Sequence, residues 1–304
     1  MHGAYCLGVT RSFALVLLSV FLIAACSSGD SSNSNALPSA MFRVDCSSSA
    51  TYAPATPPVE TLSSSGSAST TIIVMHGKTG SPLSTHLPPL YAALSSTGYD
   101  VVAPYMPWNG LDWDGSMCEG INYIDSLAVQ QAANGRNVIV AGHSMGGAHA
   151  LIHGATEPAG EIKAIVTLAP GHFPHLSNNM QTVTAASVAL AESMVASGNG
   201  DDIATFDILN SGVTIQITAS ANDYLSYHAL DQYPDINDVL PVISVPVLWL
   251  AGDLDPITTG YDMATLFTRI TSVDSEYQVV SGDHKGMVAS SEAPIINWLA
   301  SLGL

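Results

Sequence analysis

The chain has 304 residues, of which 47% are hydrophobic and 11% are charged, a composition typical of a globular protein with one large domain. Seven Lys and Arg residues against 25 Asp and Glu residues give a formal net charge of −18. Such an acidic surface repels phosphate backbones, so the composition predicts no nucleic-acid partner.

The first 25 residues predict an export signal. The apolar run FALVLLSVFLIAAC, from Phe13 to Cys26, is too short for a comfortable membrane span and ends in small residues. Its last residues, LIAAC, resemble a bacterial lipobox, which implies cleavage before Cys26 and lipidation of its thiol. The alternative is an ordinary signal peptide cleaved nearby. We therefore expect an exported protein anchored to a bacterial membrane through Cys26, and Ser27 favours the outer membrane in a Gram-negative cell.

Residues 26–70 are rich in Ser, Ala, Thr and Pro, which predicts a flexible tether and an irregular lead-in. Two cysteines, Cys46 and Cys118, remain after the export segment. In an oxidising compartment they form either one disulfide or two buried thiols, because the sequence gives no distance between them.

A regular alternation of strands and helices begins at Thr71. The predicted strands are TTIIVMHG before Lys78, then residues 99–104, 137–142, 163–171, 245–252 and 276–283. The predicted helices are residues 87–98, 118–135, 146–155 and 292–304.

This order predicts an α/β fold with a mostly parallel central sheet flanked by helices. The alternation lapses from about residue 172 to 241, where only a helix at 184–200 and a strand at 211–220 are legible. We interpret this stretch as a cap inserted between two strands of the sheet.

Ser144 is the predicted nucleophile. It lies in Gly142-His143-Ser144-Met145-Gly146, a G-x-S-x-G match between a predicted strand and a predicted helix. A sharp turn there lifts the serine hydroxyl above the carboxyl edge of the sheet. The backbone N–H of Met145, at the start of the helix, is the first predicted oxyanion donor.

A serine nucleophile needs a base, and the base needs an orienting acid. His284 follows the strand at 276–283, and Asp253 and Asp255 follow the strand at 245–252. The order serine, acid, histidine is the one expected when each residue ends a strand of such a sheet.

These motifs resemble those of the α/β-hydrolase family over about residues 71–304. The resemblance implies a G-x-x-D segment, here Gly252-Asp253-Leu254-Asp255, and so selects Asp255 as the acid, with Asp253 as the alternative. It also implies a second oxyanion donor after the first strand, the N–H of Lys78. The side chain of Lys78 contacts an anionic group or is a solvated loop lysine. Members of this family usually have further strands before the one that begins at Thr71. The sequence shows no clear pattern for them, so we expect the sheet to be shorter at that edge.

Four segments, HGKTGSP, MPWNG, GHSMGG and LAPGHFP, resemble those of little-characterised bacterial hydrolases. They supply His76, Trp108, His143 and His172 as residues that line the site. Trp108 is equally consistent with a packed loop, and His172 with a structural histidine.

No metal or other cofactor is predicted. His149 and His153 are four residues apart on a predicted helix, but the glutamate of H-E-x-x-H is missing.

The predicted function is a serine hydrolase that cleaves small or medium carboxylic esters, since a cap narrows access to the site. A lipase or polyesterase and a serine aminopeptidase are the enzymatic alternatives. A catalytically dead, lipid-anchored binding module is the alternative from another class.

Overall fold

A computed structural model of the chain describes residues 44–63, 68–156 and 161–304. The predicted export segment 1–25, the lipidation site Cys26 and the tether before Val44 lie outside the described residues. The described residues all belong to one compact unit, Ala40–Leu304.

The body of the protein is built on a seven-stranded sheet. Its strands are β1 (Val59–Thr61), β2 (Thr70–Met75), β3 (Asp100–Ala103), β4 (Asn137–His143), β5 (Ile162–Leu168), β8 (Val247–Gly252) and β9 (Glu276–Val280). They lie in the order β1-β3-β2-β4-β5-β8-β9, and all neighbours are parallel except β1 and β3. The predicted α/β class with a mostly parallel central sheet is confirmed.

Helices cover both faces of this sheet. They are α1 (Pro88–Ser96), α2 (Met117–Ala133), α3 (Met145–Gly154), α7 (Pro256–Gly260), α8 (Met263–Phe267), α9 (Met287–Ser290) and α10 (Glu292–Ser301). Successive residues of β2 enter opposite cores: Ile73 packs with side chains of α2 and α3, whereas Ile72 packs with those of α1 and α10. A strand that is buried on both faces has a continuous run of apolar residues, so these strands could be predicted from the sequence.

The cap is the segment between β5 and β8, two strands that are neighbours in the sheet. It contains α4 (Asn178–Ala196), β6 (Ile203–Asn210), β7 (Val213–Ser220), α5 (Ala221–His228) and α6 (Ile236–Val239). Strands β6 and β7 form an antiparallel hairpin separate from the main sheet. Its two-residue turn is Ser211-Gly212, and both residues have positive φ, 50° and 80°.

The described part of the lead-in differs from the predicted flexible tether, because Val44, Cys46 and β1 are fixed on the body. Val44 is buried and pairs with Thr156, and Cys46 is joined to Cys118 of α2 by a disulfide. β1 forms an antiparallel edge strand beside β3, so the sheet carries a strand before Thr71 that was not predicted. β1 has only three residues and lies among Ser and Pro residues, so its sequence is too short to show the alternation by which a strand is predicted.

No helix within residues 44–63, 68–156 and 161–304 combines the length and the apolar character that crossing a membrane requires.

Candidate active site

Ser144 lies on a sharp turn between β4 and α3. Its φ is 57° and its ψ is −121°, a conformation that a non-glycine residue rarely adopts and that strains the backbone. The Ser144 N–H donates to the carbonyl of Leu168 at the end of β5, 2.9 Å away, and the Ser144 carbonyl accepts from the N–H groups of Ala148 and Gly171. The neighbouring strand and helix therefore hold the turn in place.

The glycines of the motif allow the turn to sit against the sheet. A Cβ atom on Gly146 would lie 2.6 Å from the carbonyl oxygens of both Met75 and His76 at the end of β2. A Cβ atom on Gly142 would overlap the backbone of Gly146. Larger residues at these two positions would displace the backbone that carries Ser144.

His284 and Asp255 are hydrogen-bonded to each other. The Nδ1 atom of His284 lies 2.8 Å from Oδ2 of Asp255, which is 1% exposed. The other carboxylate oxygen of Asp255 accepts from the N–H of Ile257 at the start of α7. Because a carboxylate only accepts, His284 carries a proton on Nδ1, so Nε2 is the accepting atom of the neutral ring.

Asp253 has a different partner. Its exposed carboxylate accepts from the N–H of Gly282, 2.7 Å away, and ties the loop after β8 to the loop after β9. Asp283, beside His284, accepts from the backbone N–H groups of Lys285 and Gly286. Both acids organise loops.

Two cavities meet at Ser144 and His284. The apolar cavity, of about 570 Å³, lies under the cap; its side chains include Met145, His172, Leu176, Met180, Leu209, Asp255, Ile257 and Tyr261. The polar cavity, of about 290 Å³, lies beside it; its lining includes Gly77, Thr79, Gly80, Ser84, Thr85, His86, His143 and Lys285. Lys78, Asn210 and Ser211 line both cavities.

The sequence profile of a hydrolase family described as "Serine aminopeptidase, S33" matches residues 117–284, from the start of α2 to His284. The chain belongs to this family. It is an α/β-hydrolase, and therefore a hydrolytic enzyme.

Two solved structures share the fold of this hydrolase. A monoacylglycerol lipase from Paleococcus ferrophilus is 19% identical with a TM-score of 0.59, and covers 81% of this chain and 99% of its own. Est1E from Butyrivibrio proteoclasticus, bound to ferulic acid, is 18% identical with a TM-score of 0.54, and covers 80% and 95%.

A relative in sequence is Esterase PE16 from Mycobacterium tuberculosis. It is 32% identical over 111 residues, which make up 31% of this chain and 21% of that protein. The chain thus aligns with about a fifth of the length of this curated relative.

Two residues predicted to line the site lie outside both cavities of the hydrolase. His76 is fully buried, accepts from the N–H of Met106 and lies with Nδ1 2.9 Å from the carbonyl of Gly77. Trp108 is also fully buried and donates its Nε1–H to the carbonyl of His76, 3.0 Å away. His76 and Trp108 each follow the carboxyl end of a strand. The His76 ring bonds to the segment that carries Trp108, and the Trp108 indole bonds to the backbone of His76, so both are used in packing.

The other two predicted residues line a cavity each. His172 lines the apolar cavity, and its Nε2 lies 2.8 Å from the carbonyl of Tyr227 in the cap. His143 lines the polar cavity and donates Nε2–H to the carbonyl of His284, 2.7 Å away. His143 therefore contacts the loop that carries His284.

The Lys78 side chain contacts the cap, which the sequence did not predict. The side chain is half-buried, and its ammonium donates to the carbonyl of Leu209 at the tip of the cap hairpin, 3.0 Å away. Burial lowers the pKa of Lys78 to about 7. Next to it, the Asn210 amide donates to the hydroxyl of Thr79. The loop after β2 and the hairpin tip are thus joined by two hydrogen bonds.

Three buried histidines near the cap are neutral, and one of them, His172, lines the apolar cavity. Burial lowers the pKa of His149 to about 4 and that of His228 to about 3, and it holds the pKa of His172 well below its usual value. Each ring bonds to one backbone carbonyl, of Met145, Tyr224 and Tyr227 respectively. Nowhere in the described ranges do three or more His, Cys, Asp or Glu side chains gather in a way that would hold a metal ion.

Sequence reasoning missed three contributions to the site: His86, Lys285 and the hairpin tip at Leu209 and Asn210. His86 lies with Nε2 3.3 Å from Nδ1 of His143. Since Nδ1 of His143 is unprotonated, His86 is the donor in this pair. Each contribution comes from a different segment, so no local motif marks them.

Proposed function

We propose that the protein is a serine hydrolase that cleaves carboxylic esters through Ser144, His284 and Asp255. The observation that carries the proposal is the 2.8 Å hydrogen bond between His284 and a buried Asp255, in a cavity that Ser144 also lines. All three residues follow the carboxyl ends of parallel strands, β4, β8 and β9. In this arrangement a base and its orienting acid share one cavity with a strained serine.

In the first half of the reaction Ser144 is acylated. His284 takes the proton of the Ser144 hydroxyl on Nε2 while the oxygen attacks the ester carbonyl. Asp255 orients the ring through Nδ1 and stabilises the imidazolium that forms. His284 then gives its proton to the departing alcohol, which leaves an acyl group on Ser144.

In the second half a water molecule releases the acyl group. His284 takes a proton from the water, whose oxygen attacks the acyl carbon, and then returns the proton to Ser144. The developing oxyanion in both halves is assigned to the N–H of Met145, the first residue of α3, and to the N–H of Lys78. The N–H groups at the start of a helix have no partner within the helix, so the Met145 donor is available.

An ester fits the cavities better than a peptide with a free amino terminus. An aminopeptidase needs a carboxylate to hold the substrate's ammonium group. Among the described residues that line the two cavities, Asp255 is the one acid, and it is bonded to His284 and Ile257. The related esterase supports the same preference, although it aligns over a short segment.

Small and medium acyl groups are favoured over long chains and polymers. The apolar cavity lies under α4 and the hairpin tip, which restrict its size to about 570 Å³. Hydrolysis of p-nitrophenyl esters from acetate to palmitate tests this. We expect kcat/KM to peak at short or medium chains, and a peak at palmitate would favour the lipase alternative.

Labelling with a fluorophosphonate tests the nucleophile, because this probe reacts with an activated serine. We expect wild type to be labelled and Ser144→Ala to be unlabelled, with mass spectrometry locating the adduct. Ser96→Ala, at the exposed end of α1, is the matched control and should label as wild type does. An unlabelled wild type, or equal labelling of Ser144→Ala, would support the dead binding module.

We also propose that the protein is exported and anchored to a bacterial membrane through lipid on Cys26. The lipobox LIAAC and the disulfide between Cys46 and Cys118 support this, because disulfides persist in oxidising compartments. Metabolic labelling with an alkyne fatty acid should mark wild type but not Cys26→Ala. Equal labelling of both chains would contradict the anchor.

A further inference from the structure

The polar cavity carries the opposite charge to the rest of the protein. The chain has 25 Asp and Glu residues against seven Lys and Arg residues. Among the described residues that line this cavity there is no Asp or Glu, whereas Lys78 and Lys285 are both present. Two of the seven cationic side chains thus flank a small cavity beside the nucleophile.

Lys78 has donors to spare. Its ammonium has three N–H groups, of which one is used in the bond to Leu209. None of the ion pairs formed by the described residues includes Lys78. Burial lowers its pKa to about 7, because the charged form loses part of its solvation by water. An anion in the cavity would supply the missing stabilisation.

Lys285 contributes charge from the other side of the cavity. It directly follows His284, its side chain is exposed, and it lines the polar cavity. Its charge is close enough to His86 and His143 to help lower the pKa of both rings, after the larger effect of burial. The nearby Asp283 carboxylate is bonded to backbone N–H groups.

The histidines of this cavity add no negative charge and donate hydrogen bonds. His86 donates to His143, and His143 donates to the carbonyl of His284. Burial lowers the pKa of His86 to about 4, so the ring is neutral at neutral pH. The cavity therefore combines two lysine amines, of which Lys78 becomes fully charged when an anion binds beside it, with neutral polar groups.

The apolar cavity takes the acyl half of an ester by the same reasoning. Met145, Leu176, Met180 and Ile257 give it an apolar lining, and its one acid, Asp255, is bonded to His284. Lys78 lies where the two cavities meet, whereas Lys285 lines the polar cavity alone. Since the two cavities meet at Ser144, the acyl and alcohol halves of a substrate would separate into them.

We propose that the polar cavity holds the alcohol half of the substrate and recognises an anionic group on that alcohol, a carboxylate or a phosphate, through Lys78 and Lys285. This inference rests on the proposed ester hydrolysis. The reaction converts such an ester and water into a carboxylic acid and a free anionic hydroxy compound. The anion itself is not altered, and it serves to position the ester carbonyl against Ser144.

The test compares esters that differ in charge but little in size. O-butyrylglycolate carries a carboxylate on the alcohol half, and O-butyrylglycolamide is its neutral counterpart. We expect kcat/KM to be about tenfold higher for the glycolate ester, the size expected for a charge-assisted hydrogen bond. The butyryl ester of glycerol 3-phosphate, compared with monobutyrylglycerol, distinguishes a phosphate from a carboxylate as the preferred anion.

Lysine variants test which residues cause the preference for the glycolate ester. Lys78→Met and Lys285→Met should each reduce the preference for the glycolate ester about three- to tenfold, because each removes a cation but keeps an unbranched side chain. Lys78→Met keeps the backbone N–H assigned to the oxyanion. Lys163→Met, exposed near the start of β5, changes the net charge equally and should keep the full preference. Raising the salt concentration should weaken the preference in wild type.

Binding to Ser144→Ala, measured by calorimetry, separates this inference from the proposed function. Tighter binding of the glycolate ester, without hydrolysis of either ester by wild type, would refute ester hydrolysis and support the anion site. Hydrolysis of both esters with equal kcat/KM, or a preference unchanged in both lysine variants, would refute the anion site alone. A preference for monoethyl succinate over ethyl butyrate in place of the glycolate preference would move the anion to the acyl half and overturn the assignment.

Discussion

The sheet of the body and the two ends of the cap hairpin are held by different kinds of interaction. In the body, β2, β3 and β8 are buried at every residue, and their register fixes where each chain turns at the carboxyl edge. In the cap, the hairpin keeps Ile203 and Val213 exposed, whereas its inner face, with Phe206, Ile208 and Ile217, belongs to an apolar core shared with the body. The two ends of the hairpin are joined to the body by polar bonds. At the tip these bonds join Leu209 and Asn210 to the loop after β2.

The base of the hairpin is joined to the body in the same way. The N–H of Trp113 donates to the carbonyl of Thr218, and the N–H of Thr218 donates to the carbonyl of Leu111. The comparison shows that the positions of Ser144, Asp255 and His284 depend on the buried sheet, whereas the hairpin tip, which lines both cavities, depends on separate hydrogen bonds. Changes to the cap should therefore alter substrate affinity before they alter the chemistry.

The largest expected effect concerns the acid of the body. Asp255→Asn should lower kcat about 10⁴-fold, because an amide cannot stabilise the imidazolium and favours the wrong tautomer of His284. Asp253→Asn, the matched control two residues away, should retain activity within about threefold since it ties loops only. Ester hydrolysis by both variants is the measurement, and a larger loss in Asp253→Asn would overturn the assignment of the acid.

The next effect concerns the histidines between body and cap. His149 of α3 packs against Tyr233 of the cap, and His228 of the cap packs against Trp113 of the body. Their pKa values of about 4 and about 3 lie below the usual 6.5, so the unfolded chain binds protons that the folded chain excludes.

The contribution of these neutral rings to the free energy of unfolding is therefore present above pH 6.5 and is lost as the pH falls toward 4. We expect each ring to lower the free energy of unfolding by on the order of 1 kcal/mol per pH unit in this window. Urea unfolding at pH 7, 6 and 5 measures the slope, which should be shallower in His228→Phe. Equal slopes in both proteins would show that His228 does not stay neutral in the fold.

The disulfide gives an effect of similar size within the body. Cys118→Ser should lower the free energy of unfolding by roughly 2–4 kcal/mol, because the bond closes a loop across 72 positions of sequence. Urea unfolding measures this, and wild type in reductant should match the variant. Both should keep the kcat of the oxidised protein on a short ester, since neither cysteine lines a cavity. A loss of kcat would link the lead-in to the site.

The smallest effect concerns the hairpin tip. Asn210→Ala removes the bond to Thr79, worth about 1 kcal/mol, and should raise KM about two- to fivefold with little change in kcat. Gln216→Ala is the matched control, since its exposed amide bonds to Asp207 within the same hairpin. Steady-state kinetics distinguishes the two. Equal KM values for both variants would show that the tip bond does not shape the cavities.

The body was largely predictable from the sequence, and the cap was not. Buried parallel strands give continuous apolar runs, and the partly exposed β9 was also predicted. Six of the seven strands of the sheet, and the order of Ser144, Asp255 and His284, could therefore be predicted directly. In the cap, helix α5 has the sequence ANDYLSYH. Its Asp and Tyr residues interrupt the apolar spacing by which a helix is predicted. Strand β6 was missed because its two faces alternate weakly, with only Phe206 and Ile208 buried.

The lining of the site was the least predictable part. His76 and Trp108 follow strand ends, as site residues do, yet the Trp108 indole bonds to the His76 carbonyl and both are buried beneath the cavities. His86 and Lys285 reach the polar cavity from segments 199 positions apart. Their meeting depends on the packing of loops, which no local pattern encodes.

Helix α3 separates Ser144 from the place where the lead-in packs on the body. Ser144 precedes its first residue, and Val44 docks at Ala155 and Thr156, just past its last. Ten residues of α-helix span about 15 Å. The first described residue of the lead-in is therefore fixed about one helix length away from Ser144, so a disturbance of that docking would reach the serine only through the whole of α3.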